Sequence, residues 1–473
     1  MRTSLVQGIS YPWQVLFTVS MGTAMTTLDA SIITIAFPEL IRAFQADLPA
    51  VMWVTLAYVL VSSSLMLLFG KLSDFVGRKR IYTAGFGIFT LAMAACSLAQ
   101  CLEQLILFRV LQGVGAAMVI GCSTAIVTAA FPGNKMGKGL GLLGVAVSAG
   151  FITGPVAGGF LLEYFDWRAI FYTRVPLSLL ALVLSVVLLR KDTVQTGKIN
   201  LDLWGAMASF AGLFCFLLGM GKIKMYGLKS PEVLLLAGTG MVLLCLLPLI
   251  ERRAQNPIID FALFQRKDFT CAMAGSFVFF LTMPVYLVIL PFYFIEGIRL
   301  SAADSGLLLS VIPLTTMLAS PVGGALTDRF GPRWPATLGA GAVVAALFGL
   351  SRFNLQTELG TIIGVLALLG LASGIFQPPN NSAIMSAVPL PCHGAASAML
   401  ATNRQVAMSI GLALTGVVFS TRQMAYRDFF LQAGFDASQA FRQSIPQALE
   451  ELMLVSFFLA LTMLLFSVKP PDK

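Results

Sequence analysis

Charge is what this sequence has least of. Asp, Glu, Lys and Arg make up 11% of the 473 residues, where a soluble domain carries roughly 25%. So few charges cannot cover a water-facing surface, which excludes a soluble globular chain. Histidine occurs once, at His393, and the cysteines at 96, 101, 122, 215, 245, 271 and 392 are scattered with no Cys-x-x-Cys. That leaves no pattern for a metal site or a disulfide framework. No G-x-x-x-x-G-K-[ST] is present, so no Walker-type ATP site is expected and the natural energy source is an ion gradient. No basic run is interleaved with aromatics. The net charge of +9 therefore reads as loop charge at a membrane rather than as nucleic-acid binding.

What is abundant is apolar length. Hydrophobic residues reach 57%, and the mean hydropathy is +0.86. A helix needs about 20 mainly apolar residues to cross a bilayer. Fourteen such stretches are expected, at 13–37, 51–69, 81–100, 105–131, 139–162, 169–189, 202–220, 233–250, 270–294, 305–326, 335–351, 358–387, 395–420 and 451–468. The first is longer than a signal-peptide core and lacks a small-residue cleavage site, so it reads as a retained helix. Lysine and arginine concentrate in the loops that include Lys71, Arg78, Lys79, Arg80, Lys135 and Lys138, which predicts both termini on the cytoplasmic side. The 221–232 loop, with three lysines, runs against that trend.

The chain repeats itself. "GKLSDFVGRKR" at 70–80 returns as "GGALTDRFGPRW" at 323–334, matching Gly70 to Gly324, Asp74 to Asp328 and Gly77 to Gly331. Both copies fall at the inner end of an even-numbered helix. The expected fold is therefore an all-α integral membrane protein of two parallel six-helix bundles, 1–200 and 253–473, with a two-helix insertion at 201–252. In the repeated loop a glycine permits a close turn, and a carboxylate can accept from helix N-terminal amides or from guanidinium groups. Gly70, Asp74, Gly77, Arg78, Asp328, Gly331 and Arg333 are thus the expected conformational gate, latching the bundles when the outside is open. The plainer alternative is a charged stop-transfer turn. "GLGLLG" at 139–144 matches G-x-G-x-x-G but opens a membrane helix, so its glycines read as packing positions, not a dinucleotide site.

Five segments in order resemble the major facilitator superfamily and, within it, the fourteen-helix drug:proton antiporters. They are "GKLSDFVGRKR", "LILFRVLQGVGAAM" (105–118, with Arg109, Gln112, Gly113 and Gly115), "GFITGPVAGGFL" (150–161, with Gly154, Pro155, Gly158 and Gly159), "LDASIITIAFP" with its acid at Asp29, and "GIFQPPNNSAIM" (374–385). The resemblance implies a major facilitator fold and drug-for-proton exchange, with 150–161 as the helix-5 antiporter motif. Two departures stand out. Arg174 takes the place before Val175-Pro176 where the family usually has asparagine, and "PLPCHG" (389–394) lacks the usual charges.

An ionised carboxylate deep in a bilayer costs at least about 2.5–3.5 kcal/mol, so Asp29 must find a partner, water or a proton. Asp29 lies roughly 12 Å from the outer end of helix 1 and Arg109 roughly 9 Å from that of helix 4. The expectation is that Asp29 faces the central cavity and exchanges a proton under the control of Arg109; a static ion pair between helices 1 and 4 is the alternative. Gln112, Arg404, Gln405, Asn380, Asn381, Phe279 and Met283 are candidates to line the substrate cavity. Asn380 and Asn381 are equally placed to satisfy a kink after Pro378-Pro379, and the helix-9 phenylalanines and methionines to face lipid. Arg174 is expected to snorkel from the outer end of helix 6, and Glu163 and Asp304 to be solvated. Gly158 and Pro155 are expected to let helix 5 seal the interface between the bundles.

Together these readings predict a multi-pass cell-membrane transporter with no enzymatic activity, cofactor or metal. It would act as a monomer on protons and a small lipophilic substrate within the lipid bilayer. Export of a specific metabolite or anion is the alternative within transport, and a transport-inactive receptor on the same fold is the alternative outside it.

Overall fold

The computed structural model describes residues 10–46, 48–131, 135–190, 203–227, 230–251, 261–300 and 302–468. In hydrocarbon each backbone N–H and C=O must be answered within the chain, and a helix does this segment by segment. Fourteen long helices result among the described residues, each covering one of the expected apolar stretches. They are α1 (Tyr11–Ile32), α2 (Leu48–Val76), α3 (Arg78–Ser97), α4 (Leu102–Ala130), α5 (Met136–Tyr164), α6 (Val175–Leu188), α7 (Leu203–Tyr226) and α8 (Pro231–Glu251). The second part of the chain adds α9 (Lys267–Phe292), α10 (Ala302–Phe330), α11 (Arg333–Ser351), α12 (Leu359–Ser386), α13 (His393–Gln432) and α14 (Ala437–Val468). Among the described residues, ten helical segments are long and apolar enough to cross a membrane, and α1, α3, α7 and α13 pack beside them. The chain is an all-helical multi-pass membrane protein. Its terminal residues, and the expected boundaries near 200 and 252, lie outside the described residues.

Several helix ends differ from the apolar stretches for local reasons. Helix 6 is broken: a short helix, Ala169–Tyr172, precedes α6, and the chain turns at Thr173 and Arg174 ahead of Pro176, whose ring removes a donor and disfavours helix before it. The helix α9 carries Pro284 and Pro291 and ends in a π turn at Tyr293–Gly297. The helix α13 runs to Gln432, well past the apolar stretch that ends near 420, and its extension bears Arg422, which pairs with Glu451 of α14.

Packing follows the repeat. In the first half α3 and α2 lie on α4, and α1 lies on α5; in the second, α11 and α10 lie on α12, and α9 lies on α13. The halves meet along two seams, α5 against α10 and α2 against α13. Helix α7 touches both α2 and α13, while α8 packs on α7. At the first seam the backbones of Gly137 and Gly324 nearly touch, and a Cβ on Gly137 would lie 2.5 Å from the Gly324 carbonyl oxygen. Gly144 also faces this seam, where a Cβ would meet the Ser320 hydroxyl at 3.0 Å. The packing role expected for "GLGLLG" is therefore visible at α10. The helix-5 motif behaves otherwise than expected. A Cβ on Gly158 would lie 2.7 Å from Ile32, Gly154 abuts Ser31, and Gly159 faces open space. These glycines seat α1 against α5 inside the first half, and the close approach between halves falls on Gly137, Gly141 and Gly144 instead. Pro155 sits on the same helix, with its side chain outside the described set.

Gly324→Val forces extra atoms into the Gly137 backbone only when this seam is closed. Overpacking costs about 1–3 kcal/mol, so the closed arrangement should lose roughly 5- to 150-fold in population. A cysteine placed at Ser320, 2% exposed here, should then react faster with a maleimide, and an unchanged rate would contradict the assignment.

Candidate functional site

The repeated loops make two latches across the seams. Gly77 and Gly331 both adopt left-handed backbone, with φ of 103° and 78°, a turn that glycine makes without steric cost. One turn back, each loop aspartate reaches the other half. Asp74 accepts from the backbone N–H groups of Gly394 and Ala395, both at 3.0 Å, in the first turn of α13. Asp328 accepts from those of Gly137 at 2.8 Å and Lys138 at 2.9 Å, in the first turn of α5. Each carboxylate thus satisfies orphan amides at the positive end of a helix dipole. The expected amide-accepting role of the loop acids is present in both copies.

The copies are not identical. Arg78 donates to Asp74 at 3.2 Å and to the Leu390 carbonyl at 2.8 Å, whereas the repeat puts Pro332 at the matching position. Arg333, expected in the gate, instead donates from its Nε to the Ser467 carbonyl at 3.3 Å and ties α11 to α14 within the second half. Its counterpart is Lys79, which donates to the Val186 and Leu189 carbonyls at the end of α6. Sequence reasoning missed Lys79, although its alignment with Arg333 carries the signal. His393 begins α13 behind the latch, with ring nitrogens 3.3 Å from the Thr128 hydroxyl and 3.1 Å from the Val388 carbonyl. Burial holds its imidazole below the usual histidine range.

Deeper in the first half lies a fully buried ionic cluster. Arg109 Nη1 donates to Asp29 Oδ2 at 2.5 Å and to Gln112 Oε1 at 2.7 Å, and its Nε donates to the Val54 carbonyl at 2.9 Å. Gln112 Nε2 donates to Asp29 Oδ1 at 3.2 Å. Arg174 Nη1 donates to the same oxygen at 2.7 Å, and Arg174 Nε to the Ile170 carbonyl at 2.5 Å. The Tyr58 ring lies 4.2 Å from the Arg109 guanidinium. Asp29, Arg109 and Gln112 have no exposed surface, and Arg174 is 4% exposed.

The depth match between Asp29 and Arg109 is realised as contact, but two expectations change. Asp29 does not face the space between the halves, because α1, α4 and the segment before α6 enclose it within the first half. Arg174 does not snorkel outward. The break before Pro176 turns its guanidinium inward, onto the one carboxylate without exposed surface among the described residues. Arg174 and Tyr58 are the members that sequence reasoning left out. An arginine inside an apolar span with a single intramembrane acid available was the signal for the first.

The second half holds the remaining candidates. Arg404 Nη2 donates to Asn381 Oδ1 at 2.6 Å, and its guanidinium lies 5.2 Å from the Phe280 ring. Asn380 Nδ2 donates to the Ala272 carbonyl of α9 at 3.1 Å, so it ties α12 to α9 rather than answering its own kink. It also borders a cavity of about 310 Å³ between α9, α11, α12 and α14. Phe279 is 2% exposed and packs on Phe280 and Phe376, inside the bundle and away from both cavity and lipid. Met283 packs on the same core, and Gln405 is half-buried, its carbonyl accepting from Ser409. Glu163 and Asp304 are exposed, as expected.

A repeated loop latched across two seams, with charges at membrane depth between packed apolar helices, is the arrangement of a membrane transporter. The chain belongs to the Major Facilitator Superfamily, whose family model matches residues 19–412. It is 34% identical to the riboflavin transporter RibZ of Clostridioides difficile (strain 630), over 88% of this chain and 90% of that one. It is 28% identical to the tetracenomycin C resistance and export protein of Streptomyces glaucescens, over 87% and 76%. With the multidrug resistance protein Stp of Mycobacterium tuberculosis it shares 29% over 86% and 75%. Its fold is similar to that of the human organic anion transporter MFSD10 (TM-score 0.67, 15% identity, 95% and 99% covered). It is also similar to that of the proton:xylose symporter XylE (0.61, 15%, 95% and 94%).

Two sets of variants check this geometry. Asp74→Asn or Asp328→Asn removes charge-assisted hydrogen bonds worth about 1.5–3 kcal/mol. Electron–electron distance measurements between labels on the latch face should then show a wider population, while Arg333→Gln should leave those distances unchanged. Asp29→Asn leaves two guanidiniums buried without an anion, at about 3–5 kcal/mol. Its melting temperature should fall, and Asp29→Asn combined with Arg174→Asn should recover part of the loss; no recovery would contradict a shared pairing.

Proposed function

We propose that the chain is a proton-coupled exporter of a small lipophilic compound that works by alternating access. In this reading all fourteen helices cross the bilayer with both ends of the chain cytoplasmic. The bundles 1–200 and 253–473 rock about the two seams, residues 201–252 are an inserted pair, and one copy suffices. The latched arrangement is then the outward-facing state, closed on the cytoplasmic side by Asp74 and Asp328. Arg404, Gln405, Asn381 and Met283 are the second-half groups available to a substrate, and the Gly154 to Gly159 stretch keeps α1 on α5 as the halves move.

The observation that supports proton coupling is the state of Asp29. Two guanidiniums and one amide answer a single carboxylate in a site with no exposed surface. A proton taken up there cancels the charge that holds Arg109 and Arg174, so proton binding and helix movement become one event. Opening of the cluster toward the space between the halves is the step this requires. A resistance and export protein and a multidrug resistance protein among the relatives support export of a drug-like compound. A second reading, favoured by the 34% identical relative, is transport of a defined heteroaromatic metabolite such as riboflavin.

Reconstituted vesicles with an imposed pH gradient separate these readings. A lipophilic dye such as 8-anilinonaphthalene-1-sulfonate should move against protons, and Asp29→Asn should cut the gradient-dependent rate at least about tenfold, within the range of strong site coupling. Gradient-driven transport that survives Asp29→Asn in a normally folded protein would rule out this coupling site, and movement of riboflavin alone would select the second reading.

A further inference from the structure

Among the described residues Arg109, Arg174 and Arg404 lie at membrane depth, and their pairing is unequal. Arg109 and Arg174 share Asp29. Arg404 has no carboxylate partner among the described residues; it meets the Asn381 amide and the Phe280 ring. Its Nε is buried and finds no acceptor among them. Arg404 stands eleven residues into α13 from His393, or about 16 Å at 1.5 Å per residue, near the middle of a bilayer roughly 30 Å thick. A guanidinium at that depth with only neutral company is costly. It is held there between α9, α12 and α13, and α12 and α13 are helices that touch the first half. The buried cluster around Asp29 also carries one more cation than anion, so the uncompensated charge of both halves has the same sign.

We propose that Arg404, with Asn381 and Phe280, binds the negative charge of an aromatic organic anion, and that compounds of this class are the cargo of the exporter; the proposal rests on the exporter reading above. A planar guanidinium pairs in two-pronged fashion with a carboxylate or a similarly delocalised anion. The Asn381 amide supplies a further donor. The Phe280 ring, 5.2 Å from the guanidinium, gives the ligand's ring an apolar surface beside the charge. An entering anion satisfies the free Nε and replaces the water that anion and guanidinium both surrender. A cation of the same shape meets repulsion, and a neutral analogue leaves the guanidinium unanswered.

The test uses the full chain in lipid nanodiscs and three probes of one shape: 2-naphthoate, 2-naphthamide and 2-naphthylmethylammonium. Naphthoate should bind at least about tenfold more tightly than the other two, the scale of a charge-assisted hydrogen-bonded pair. Arg404→Gln should erase that preference, with a far-ultraviolet circular dichroism spectrum matching the parent's to show that the variant is folded. Arg404→Lys should restore part of the preference, since it keeps the charge and loses the fork. Equal affinity across the three probes, or a preference that persists in Arg404→Gln, overturns the anion site. Anion-selective binding without proton-driven transport of any probe overturns the exporter reading and leaves the site. Proton-driven transport of naphthamide with charge-indifferent binding overturns the site and leaves the exporter reading.

Discussion

The hydrocarbon core of a bilayer offers no partner to a polar group, so every charge placed there must be answered by the chain itself or by a solute it carries. That constraint organises the molecule. Asp29 is answered by two guanidiniums and an amide, Asp74 and Asp328 by helix N-terminal amides, and Lys79 and Arg333 by helix C-terminal carbonyls. Each answer comes from a particular helix, so each polar contact also fixes which helices stand together. Contacts within a half hold a bundle as a body. Between the halves, the latches and the glycine seams lie beside apolar packing of α2 and α4 on α13 and of α5 on α10 and α12.

Much of this was legible in the sequence because it is periodic or repeated. The apolar stretches set the helices, and the recurrence of Asp74 at Asp328 predicted two equivalent contacts before any coordinates. Depth along helices 1 and 4 was enough to bring Asp29 and Arg109 together. Rotation about a helix axis was less accessible. Whether Asp29 turns toward the other half or into its own bundle depends on where α6 breaks, and that break depends on the local clash before Pro176. Arg174 was for this reason placed at the surface although it belongs to the cluster. The glycines of 154–159 posed the same difficulty. A small residue permits close approach from any side, and only the packing of α1 shows which side is used.

The repeat is also informative where it fails. Arg78 braces Asp74 and reaches the carbonyl of Leu390, while proline occupies the equivalent place after Gly331. One latch is therefore an ion pair as well as a set of amide contacts, and the other relies on amides alone. Asp328 is also the more exposed of the two acids, while Asp74 is 8% exposed. Two seams of similar geometry thus differ in strength and in sensitivity to salt, because exposed charges are screened and buried ones are not.

The inserted pair breaks the symmetry from outside. Phe216 and Leu217 of α7 rest on Leu60 of α2, with Val406 and Ile410 of α13 in the same cluster, so one flank of the transporter has a shutter that the flank between α5 and α10 does not have among the described helices. Under the exporter reading proposed above, a greasy molecule in the surrounding leaflet would meet a covered seam on one flank and a bare one on the other. Sideways entry from the lipid, if cargo uses it, is then a one-sided affair. Because α7 rests on both α2 and α13, the rocking proposed above would require it to slide on one of them, as a strut does.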